Sequence, residues 1–348
     1  MNNYKIFEPI RTAVAVIIAL IIAFIVILLV SDDPIGTMTI LLVGPLKATR
    51  YLGNVIELFI PLAFTGVATA FLFRAKLFNL GAEGILYICG IIATVIAIKL
   101  KGYGILQAVV AIGVASVVGM LLGGIPGILK AKWNINELVV SLMFNSIFFG
   151  IGFYILNNYL RDTDQSLVAS YRFVEPGKLA LGNLVAGTRI HYGLILVLIV
   201  ALLSYVFMFK TKWGYALRMT GANNRFAYYM GIKTFSVIVY THLIAGFIAG
   251  MGGAVEVLGM YDRFRWGALP GLGFDGALVA LLGKDHPLKA LLAALFLAYL
   301  RIGADIMARS TEVPSEMIAI IQAIIILLIS AERFLAKWRE KQLVKEAK

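Results

Sequence analysis

Long apolar stretches separated by short polar connections repeat along the whole chain. A helix that crosses a bilayer needs about 20 predominantly apolar residues, and most of these stretches approach that length. The candidate helices are 13–30, 52–73, 81–98, 105–129, 136–157, 191–209, 236–258, 276–283, 287–305 and 313–331. The pattern predicts an all-α, polytopic membrane helix bundle of about ten transmembrane helices, or nine plus a half-helix at 276–283.

The first apolar stretch admits two interpretations. A cleaved signal peptide has an apolar core of about 7–15 residues that ends at small residues. The stretch from Ala13 to Val30 is longer and ends in "VSDDP", without such a site. This favours an uncleaved first transmembrane helix.

The composition supports a membrane domain. Hydrophobic residues make up 61% of the 348 residues and charged residues only 14%, with a mean hydropathy of +0.91, whereas a soluble domain has about 25% charged residues. We therefore predict a single transmembrane domain over residues 1–348. One cysteine, Cys89, cannot form an internal disulfide, and three scattered histidines (His191, His242 and His286) predict no metal site.

The net charge of +12 is explained by membrane orientation. Lys and Arg concentrate in the cytoplasmic loops of membrane proteins. With the N-terminus inside, 19 of the 31 basic residues but only 7 of the 19 acidic residues fall on the cytoplasmic side. An even number of crossings also returns the C-terminus to the cytoplasm. The basic character therefore indicates the lipid bilayer, and not a nucleic acid, as the partner.

Polar side chains form stripes on otherwise apolar predicted helices. Glu137, Ser141 and Asn145 are spaced i, i+4, i+8 and share one helix face. A carboxylate at membrane depth costs about 2.5–3.5 kcal/mol, so it faces protein or water. Two further stripes are Glu57, Thr65, Thr69 and Glu83, Tyr87, Thr94. The stripes predict a polar bundle interior; carboxylates idle at the helix ends are the alternative.

Small residues recur at four-residue spacing on the predicted helices. The pairs are Gly119/Gly123, Gly246/Gly250 and Gly250/Ala254. Such spacing permits close helix contact in membranes, so we interpret it as packing.

Motifs of enzymes are approached but not completed. "GLGFDG" (271–276) matches a dinucleotide-binding pattern, but it precedes an apolar helix instead of following a strand. The better interpretation is a flexible start of a half-helix whose N-terminus faces the bundle. "GALVALLGKD" lacks the spacing and the Ser/Thr of a P-loop, and "YD" with "GLGFD" departs from the intramembrane aspartyl protease pattern. We predict no catalytic residues.

Four segments together resemble one protein family. They are "FRAKLFNLGAEG" (73–84), "NINELVVSLMFN" (134–145), "LRMTGANNRFAYYMGI" (217–232), and "GLGFDGALVALLG" (271–283) followed by "VPSE" (313–316). Their order and spacing resemble the permease subunits of bacterial ABC importers of the ribose/branched-chain amino acid type. Within that group the chain is most similar to permeases of nucleoside importers.

The resemblance implies a type II-like ABC importer permease, with N- and C-termini inside, in the cytoplasmic (inner) membrane. It implies a cytoplasmic coupling loop at 210–233 that contacts an ATPase, with glycines bounding a helix of about two turns. The residues that match the coupling pattern are Gly221, Asn223, Arg225, Ala227, Tyr229, Gly231 and Ile232, and those expected to carry the ATPase contact are Gly221, Asn223, Arg225, Tyr229 and Gly231. A helix lying on lipid is the alternative for this segment.

The implied partners are an ABC ATPase subunit with two nucleotide-binding domains, a second related permease and a nucleoside-binding lipoprotein. The permease itself holds no cofactor, since its partner uses the ATP. The long outer connection, 158–189, is expected to help dock the lipoprotein. The polar residues expected to line the substrate pathway are Asn79, Glu83, Glu137, Ser141, Asn145 and Asp275.

Two other functions remain open. A permease for a sugar such as ribose shares the same family. An ion-coupled secondary transporter is more remote, because it needs carboxylates near mid-membrane and most of those here lie near predicted helix ends. The sequence names neither the nucleoside nor the choice between homodimer and heterodimer.

Overall fold

A computed structural model of the chain describes residues 17–18, 20–29, 31–175, 179–185, 187–313, 320 and 323. Within these ranges the chain is predominantly helical. The only extended pairing among them consists of two isolated bridges, Arg161 with Ser170 and Asn183 with His191. The prediction of an all-α membrane bundle is confirmed.

The helices of the described part are numbered in chain order. They are α1 (Leu20–Leu29), α2 (Pro34–Val43), α3 (Thr49–Arg74), α4 (Ala82–Lys99), α5 (Ile105–Trp133), α6 (Glu137–Ile155), α7 (Gly193–Lys210), α8 (Lys212–Ala222), α9 (Asn224–Tyr229), α10 (Thr234–Met260), α11 (Leu272–Leu282) and α12 (Pro287–Ser310). A 3₁₀ turn, Gly44–Leu46, follows α2, and a π-helical turn, Leu156–Leu160, extends α6.

Seven of these helices are long and apolar enough to cross a membrane: α3, α4, α5, α6 with its π turn, α7, α10 and α12. The predicted helix 313–331 lies outside the described residues except for 320 and 323. Helix α2 was not predicted. Its sequence begins like a connection, but Asp33 caps it by accepting a hydrogen bond from the Gly36 N–H at 3.0 Å.

Helix α11 confirms the expectation of a short apolar helix but corrects its bounds. It runs from Leu272 to Leu282, whereas the sequence predicted 276–283. The glycines at 273 and 276 lie inside the helix, and Gly271 precedes it with φ +80°. A positive φ is readily adopted by glycine, so the turn into α11 falls one residue before Leu272.

The chain forms two compact units. The first comprises residues 1–52 and 299–348. In its described part, α2 packs on the last turns of α12. Gly303 has no room for a Cβ against the Leu41 carbonyl oxygen, and the Tyr299 hydroxyl donates to the Leu42 carbonyl oxygen.

The second unit comprises residues 53–298 and holds most of the long helices. Helix α10 packs along α5 and α4. A Cβ added to Gly119 would lie 2.6 Å from the Gly246 carbonyl oxygen and 2.8 Å from the Gly250 Cα. Backbone therefore meets backbone at this crossing, which confirms the packing interpretation of the small-residue pairs.

The second unit has two ends with different connections. We call the end with Arg74, α8 and α9 the inner end, because the charge pattern predicts that it faces the cytoplasm. We call the opposite end, with residues 161–175 and 261–266, the outer end. These names are kept below.

Candidate functional site: a non-helical segment held by helix α6

Residues 75–81 join α3 to α4 and form the segment that we call the non-helical segment. Its side chains alternate in exposure: Leu77 and Asn79 are buried, while Phe78 is 52% exposed. Alternation with a period of two is typical of extended backbone. Lys76 turns the chain out of α3 with φ +55°. The segment is therefore an extended piece of chain between two helices.

The polar stripe of α6 bonds the backbone of this segment and the start of α4. The hydrogen bonds run from the Phe78 N–H to Glu137 Oε1 at 3.2 Å, from the Leu80 N–H to Ser141 Oγ at 3.0 Å, from Asn145 Nδ2 to the Leu80 carbonyl oxygen at 3.0 Å, and from the Gly84 N–H to Asn145 Oδ1 at 2.9 Å. Successive stripe residues meet successive backbone groups, so the segment runs alongside α6.

The spacing of the stripe matches the rise of an extended chain. Four helical residues rise about 6 Å, and two extended residues rise about 6.6 Å. The step from Glu137 to Ser141 on α6 therefore equals the step from Phe78 to Leu80. Backbone groups away from water need partners. Within the segment the N–H groups of Leu77 and Asn79 find nearby carbonyl oxygens, whereas those of Phe78 and Leu80 bond side chains of α6. The stripe supplies those two partners.

Glu137 is also tied to the preceding helix. Its Oε2 lies 2.9 Å from Lys130 Nζ on α5, and both side chains are largely buried. The α5–α6 hairpin thus presents the first residue of the stripe with its charge already paired.

Glu83 lies in the first turn of α4, as predicted, but its carboxylate bonds a different helix. It accepts the N–H groups of Gly271 at 2.6 Å, Gly273 at 2.6 Å and Phe274 at 3.3 Å. These are N–H groups at the start of α11, which have no partner within a helix. Glu83 therefore caps α11. Asp275 is buried in the same first turn of α11.

The junction of α4 and α11 lies well inside the bundle. The Thr65 hydroxyl donates to the Leu272 carbonyl oxygen at 2.9 Å, and Thr65 is about 13 Å along α3 from its Arg74 end. Gly273 would place a Cβ 2.7 Å from the Ala82 carbonyl carbon. Only glycine permits the two helix starts to meet so closely.

A small pocket lies beside the non-helical segment. Its walls come from α3, the segment itself, α4, α5, α6 and α10. Most lining residues are apolar, and Phe144 and Phe148 lie on the wall formed by α6 with ring centroids 5.2 Å apart. Asn79 and His242 are the polar side chains that line it. The pocket is thus an aromatic-walled space with two polar groups.

The predicted coupling loop consists of two helices and not one. Asn223 ends α8 and caps α9, accepting the Phe226 N–H at 3.0 Å. Gly231 follows α9 with φ +80°, so a glycine does end the helix there. Gly221, however, lies in α8, and this corrects the expectation that it bounds the helix of Tyr229. A Cβ on Gly221 would lie 2.9 Å from the Ala75 Cα, so it packs on the base of the non-helical segment.

Helix α9 exposes most of its side chains. Tyr228, Tyr229 and Met230 are 67%, 84% and 66% exposed, and Phe226 is 50% exposed. Ala227 alone in this helix is fully buried. Arg225 is exposed beside them. The result is a short helix that presents aromatic and apolar side chains at the inner end.

The outer end is held by charges. Asp162 pairs with Arg263 at 2.8 Å, and Asp262 pairs with both Arg172 at 3.2 Å and Arg265 at 2.7 Å. The pairs Asp162–Arg263 and Arg172–Asp262 fasten the residues after α6 to the connection after α10.

His191 anchors the start of α7 as a neutral ring. The Gly193 N–H donates to its Nδ1 at 3.2 Å, which requires an unprotonated Nδ1. Burial lowers the pKa of His191 to about 4. Nearby, burial of the Tyr261 hydroxyl raises its pKa, as does the Glu256 carboxylate. Burial also lowers the pKa of His286 at the inner end, together with the charges of Lys289 and Arg74.

The structure gathers the six predicted pathway residues around the non-helical segment and the start of α11. Asn79 belongs to the segment, and its Oδ1 accepts the Gly81 N–H at 2.7 Å. Contact of these residues with a substrate stays a prediction. The described residues contain no group of three or more His, Cys, Asp or Glu side chains suited to a metal ion.

Sequence reasoning missed His242 and the ring pair of Phe144 and Phe148. The histidine was treated as one of three scattered ones. Its spacing from Gly246 indicates the location, since His242 lies four residues before this glycine and so shares its helix face. The close crossing of α5 and α10 therefore carries the histidine to the pocket.

Comparison with known proteins finds a match over most of the chain. The family described as "Branched-chain amino acid transport system / permease component" matches residues 51–330. The glucose ABC transporter permease protein of Haloferax volcanii is 30% identical over 95% of this chain and 88% of its own length. The guanosine ABC transporter permease protein of Bacillus subtilis is 35% identical over 81% of each chain. The nucleoside ABC transporter permease protein of Lactococcus lactis subsp. cremoris is 27% identical over 95% of this chain and 93% of its own length.

Proposed function

We propose, because this chain belongs to the family of branched-chain amino acid transport system permease components, that it is a permease subunit of an ATP-driven importer of nucleosides. Two of the relatives described above carry nucleoside or guanosine permease names, and each matches four fifths or more of this chain. The multi-pass helical bundle provides the membrane domain that such a subunit needs. The proposed location is the cytoplasmic membrane.

The exposure of α9 carries this proposal. A short helix with three aromatic side chains facing outward is costly to leave in water and marks an interaction surface. The chain has no P-loop, so ATP hydrolysis belongs to a separate subunit with two nucleotide-binding domains. We assign α9 as the helix that binds this ATPase. Tyr229 is the aromatic anchor, and Arg225 is a charged contact at the rim of the interface.

The junction of α4 and α11 supports an uncharged substrate. In many transporters the N-terminus of a half-helix binds an anionic group of the substrate. Here the Glu83 carboxylate already occupies the start of α11. A substrate carboxylate or phosphate would meet a like charge, whereas a nucleoside would not. The same holds for a sugar, and the relative with a glucose permease name keeps that alternative open.

The remaining partners follow from the sequence resemblance. A second, related permease would complete the channel, and a nucleoside-binding lipoprotein would deliver the substrate to the outer end. The connection at 158–189 contributes part of that outer end through the ion pair of Asp162 with Arg263. We propose this surface as the docking site of the lipoprotein.

The experiment is Tyr229→Ala in the purified complex with its ATPase. Truncation of an aromatic anchor costs about 2 kcal/mol or more in binding, so ATPase retention falls and ATP hydrolysis no longer responds to nucleoside. Tyr103→Ala is the matched control, because Tyr103 is 65% exposed at the opposite end of α4 from the non-helical segment.

The outcomes separate the candidate functions. Uptake of guanosine by proteoliposomes, blocked by excess uridine or adenosine but not by ribose or glucose, supports a nucleoside importer. Competition by ribose or glucose alone supports the sugar permease. Unchanged uptake and hydrolysis in Tyr229→Ala would contradict the assignment of α9, and uptake without any ATPase would indicate ion-coupled transport.

A further inference from the structure

His242, which lines the pocket beside the non-helical segment, carries a buried ring nitrogen without a hydrogen-bond partner among the described residues. His242 is 2% exposed, and its Nδ1 lies 2.9 Å from the Ile238 carbonyl oxygen. A carbonyl oxygen only accepts, so Nδ1 carries the hydrogen and Nε2 carries the lone pair. Nε2 is buried and has no hydrogen-bond partner in the described part of the chain.

A buried acceptor without a partner is uncommon, and an ionisable side chain inside a membrane helix is a candidate functional group. The ring is held in place from behind: a Cβ on Gly127 of α5 would lie 2.7 Å from the His242 Cβ. His242 is about 12 Å along α10 from its first residue. The lone pair is thus fixed at a depth inside the bundle and not at its rim.

A donor lies on the same pocket. Asn79 lines it together with His242. The Asn79 Oδ1 accepts the Gly81 N–H, and its amide nitrogen is a hydrogen-bond donor. Two neutral polar side chains therefore line the pocket, one with an acceptor and one with a donor, and no Lys or Arg is among the lining residues.

The rest of the wall fits a flat ring. Phe144 and Phe148 line the same pocket as His242. Aromatic side chains stack on any nucleobase, because every base has a flat π-face. An aromatic wall with a neutral acceptor and a neutral donor matches a nucleoside. It does not match an anion, which needs a cation or several free N–H groups.

We propose that His242, through Nε2, accepts a hydrogen bond from an N–H or O–H group of the nucleoside as the nucleoside passes the pocket beside the non-helical segment. This rests on the proposed function. The pocket holds only a small part of a nucleoside in this conformation, so the contact forms when the bundle opens. His242 is then a specificity-determining residue that favours substrates with a hydrogen-bond donor at that position.

Two substitutions of similar size separate this role from ring packing. In His242→Gln the terminal amide reaches the position of Nε2 and keeps an acceptor there. In His242→Asn the shorter amide reaches only the position of Nδ1, so it keeps the bond to Ile238 and loses the acceptor. Both variants are tested in the intact complex, with ATPase retention as the measure of correct folding.

Loss of one buried hydrogen bond to substrate lowers transport by about tenfold. We expect His242→Asn to lower guanosine uptake about tenfold with ATPase retention unchanged, and His242→Gln to stay within about threefold of the wild type. Equal loss in both variants, or no loss in either, with the complex intact would contradict the proposal. If both lose ATPase retention, His242 is a packing residue and the proposal is also contradicted.

Substrate analogues identify the donor. Uptake is measured for guanosine and its 2′-, 3′- and 5′-deoxy forms, for inosine, which lacks the amino group of guanine, and for 1-methylguanosine, which lacks the N1–H group. The analogue that lacks the bonded donor is taken up about tenfold more slowly than guanosine by the wild type. For this analogue His242→Asn causes no further loss of uptake. If every analogue loses the same factor on His242→Asn, no nucleoside donor meets Nε2 and the proposal is wrong. If the wild type moves no nucleoside at all, the proposed function fails instead.

Discussion

The non-helical connections at the two ends of the second unit are both held by hydrogen bonds to backbone groups, but the outer one carries ion pairs in addition. At the inner end, residues 78–84 bond one stripe of α6 side chains, and only one member of that stripe carries a charge. At the outer end, two ion pairs of Asp and Arg tie residues 161–175 to 261–266, and a third lies within 261–266. The first connection lies among apolar helices, where backbone groups cannot turn to water. The second has a largely buried pair, Asp162 with Arg263, and two arginines, Arg172 and Arg265, that remain partly exposed.

Each kind of bond suits a different environment. Salt and solvent screen exposed ion pairs, so such pairs suit a surface that must still rearrange. Hydrogen bonds between the backbone and neutral side chains in a dry interior are weakened neither by salt nor by solvent. The inner connection should therefore respond to loss of single side chains, and the outer one to salt and pH.

The largest effect is expected at the cap of α11. Glu83→Leu removes the acceptor of three N–H groups, and each buried donor left without a partner costs about 1–3 kcal/mol. We expect the free energy of unfolding in detergent to fall by at least about 3 kcal/mol. Glu83→Gln keeps one carbonyl acceptor and should lose less than half as much. Equal losses in a denaturant titration would show that the carboxylate oxygens are not the cap.

Asn145→Leu is expected to have the next largest effect. It leaves the Gly84 N–H and the Leu80 carbonyl oxygen without partners, at a total cost of about 2–3 kcal/mol. Uptake should fall while the subunits stay assembled. Asn157→Leu is the control, because the Asn157 amide bonds the Phe153 carbonyl oxygen of its own helix and lies before the outer connection. A similar loss of uptake in the control would show that the stripe residue contributes no more than an Asn that bonds its own helix.

Acid should weaken the outer end through His191. Its pKa in the folded chain is about 4, below the ordinary value near 6.5, so the unfolded chain binds the proton more readily. This contribution to stability is complete above pH of about 6.5 and is lost as the pH falls toward 4. We expect a loss of about 2 kcal/mol between pH 7 and pH 5.

The measurement is the difference in pH dependence between the wild type and His191→Gln, followed by thermal unfolding. The variant cannot take up the proton at this position, so its stability should change less over the same range. Parallel curves for the two proteins would show that His191 does not contribute.

The smallest effect is expected for the exposed ion pairs of Asp262. Its partners Arg172 and Arg265 have side chains 38% and 54% exposed, and pairs of this kind contribute about 0–1 kcal/mol each. Asp262→Asn should cost about 1 kcal/mol at low salt and almost nothing at about 1 M salt. The penalty of Asn145→Leu should not change over that range. A common salt response would remove the distinction between the two ends.

Much of the architecture could be predicted because it depends on length and polarity. An apolar stretch of about 20 residues specifies a membrane helix, and the spans from α3 to α12 followed from that rule. The polar stripe was visible because Glu137, Ser141 and Asn145 recur at helical spacing. Helix α2 was missed because its start, "SDDP", has the composition of a turn.

The partners of the stripe could not be predicted. Ser141 and Asn145 bond backbone groups of residues 80 and 84, and every residue type has the same backbone. A side chain that bonds backbone therefore leaves no matching signal at its partner. The same reason hid the role of Glu83, because its three partners are N–H groups near residue 273. Gly221 was misplaced because the break between α8 and α9 falls at Asn223 and not at a glycine.

The bonds of the non-helical segment also have an order in time. Residues 78–84 are made before their partners on α6, which follow 59 to 61 residues later, or about 3–12 s at ordinary rates of synthesis. Glu83 waits for partners 188 to 191 residues downstream, which takes about 10–40 s. During biogenesis this stretch must stay near water or the insertion machinery, so it closes among the last parts of the second unit.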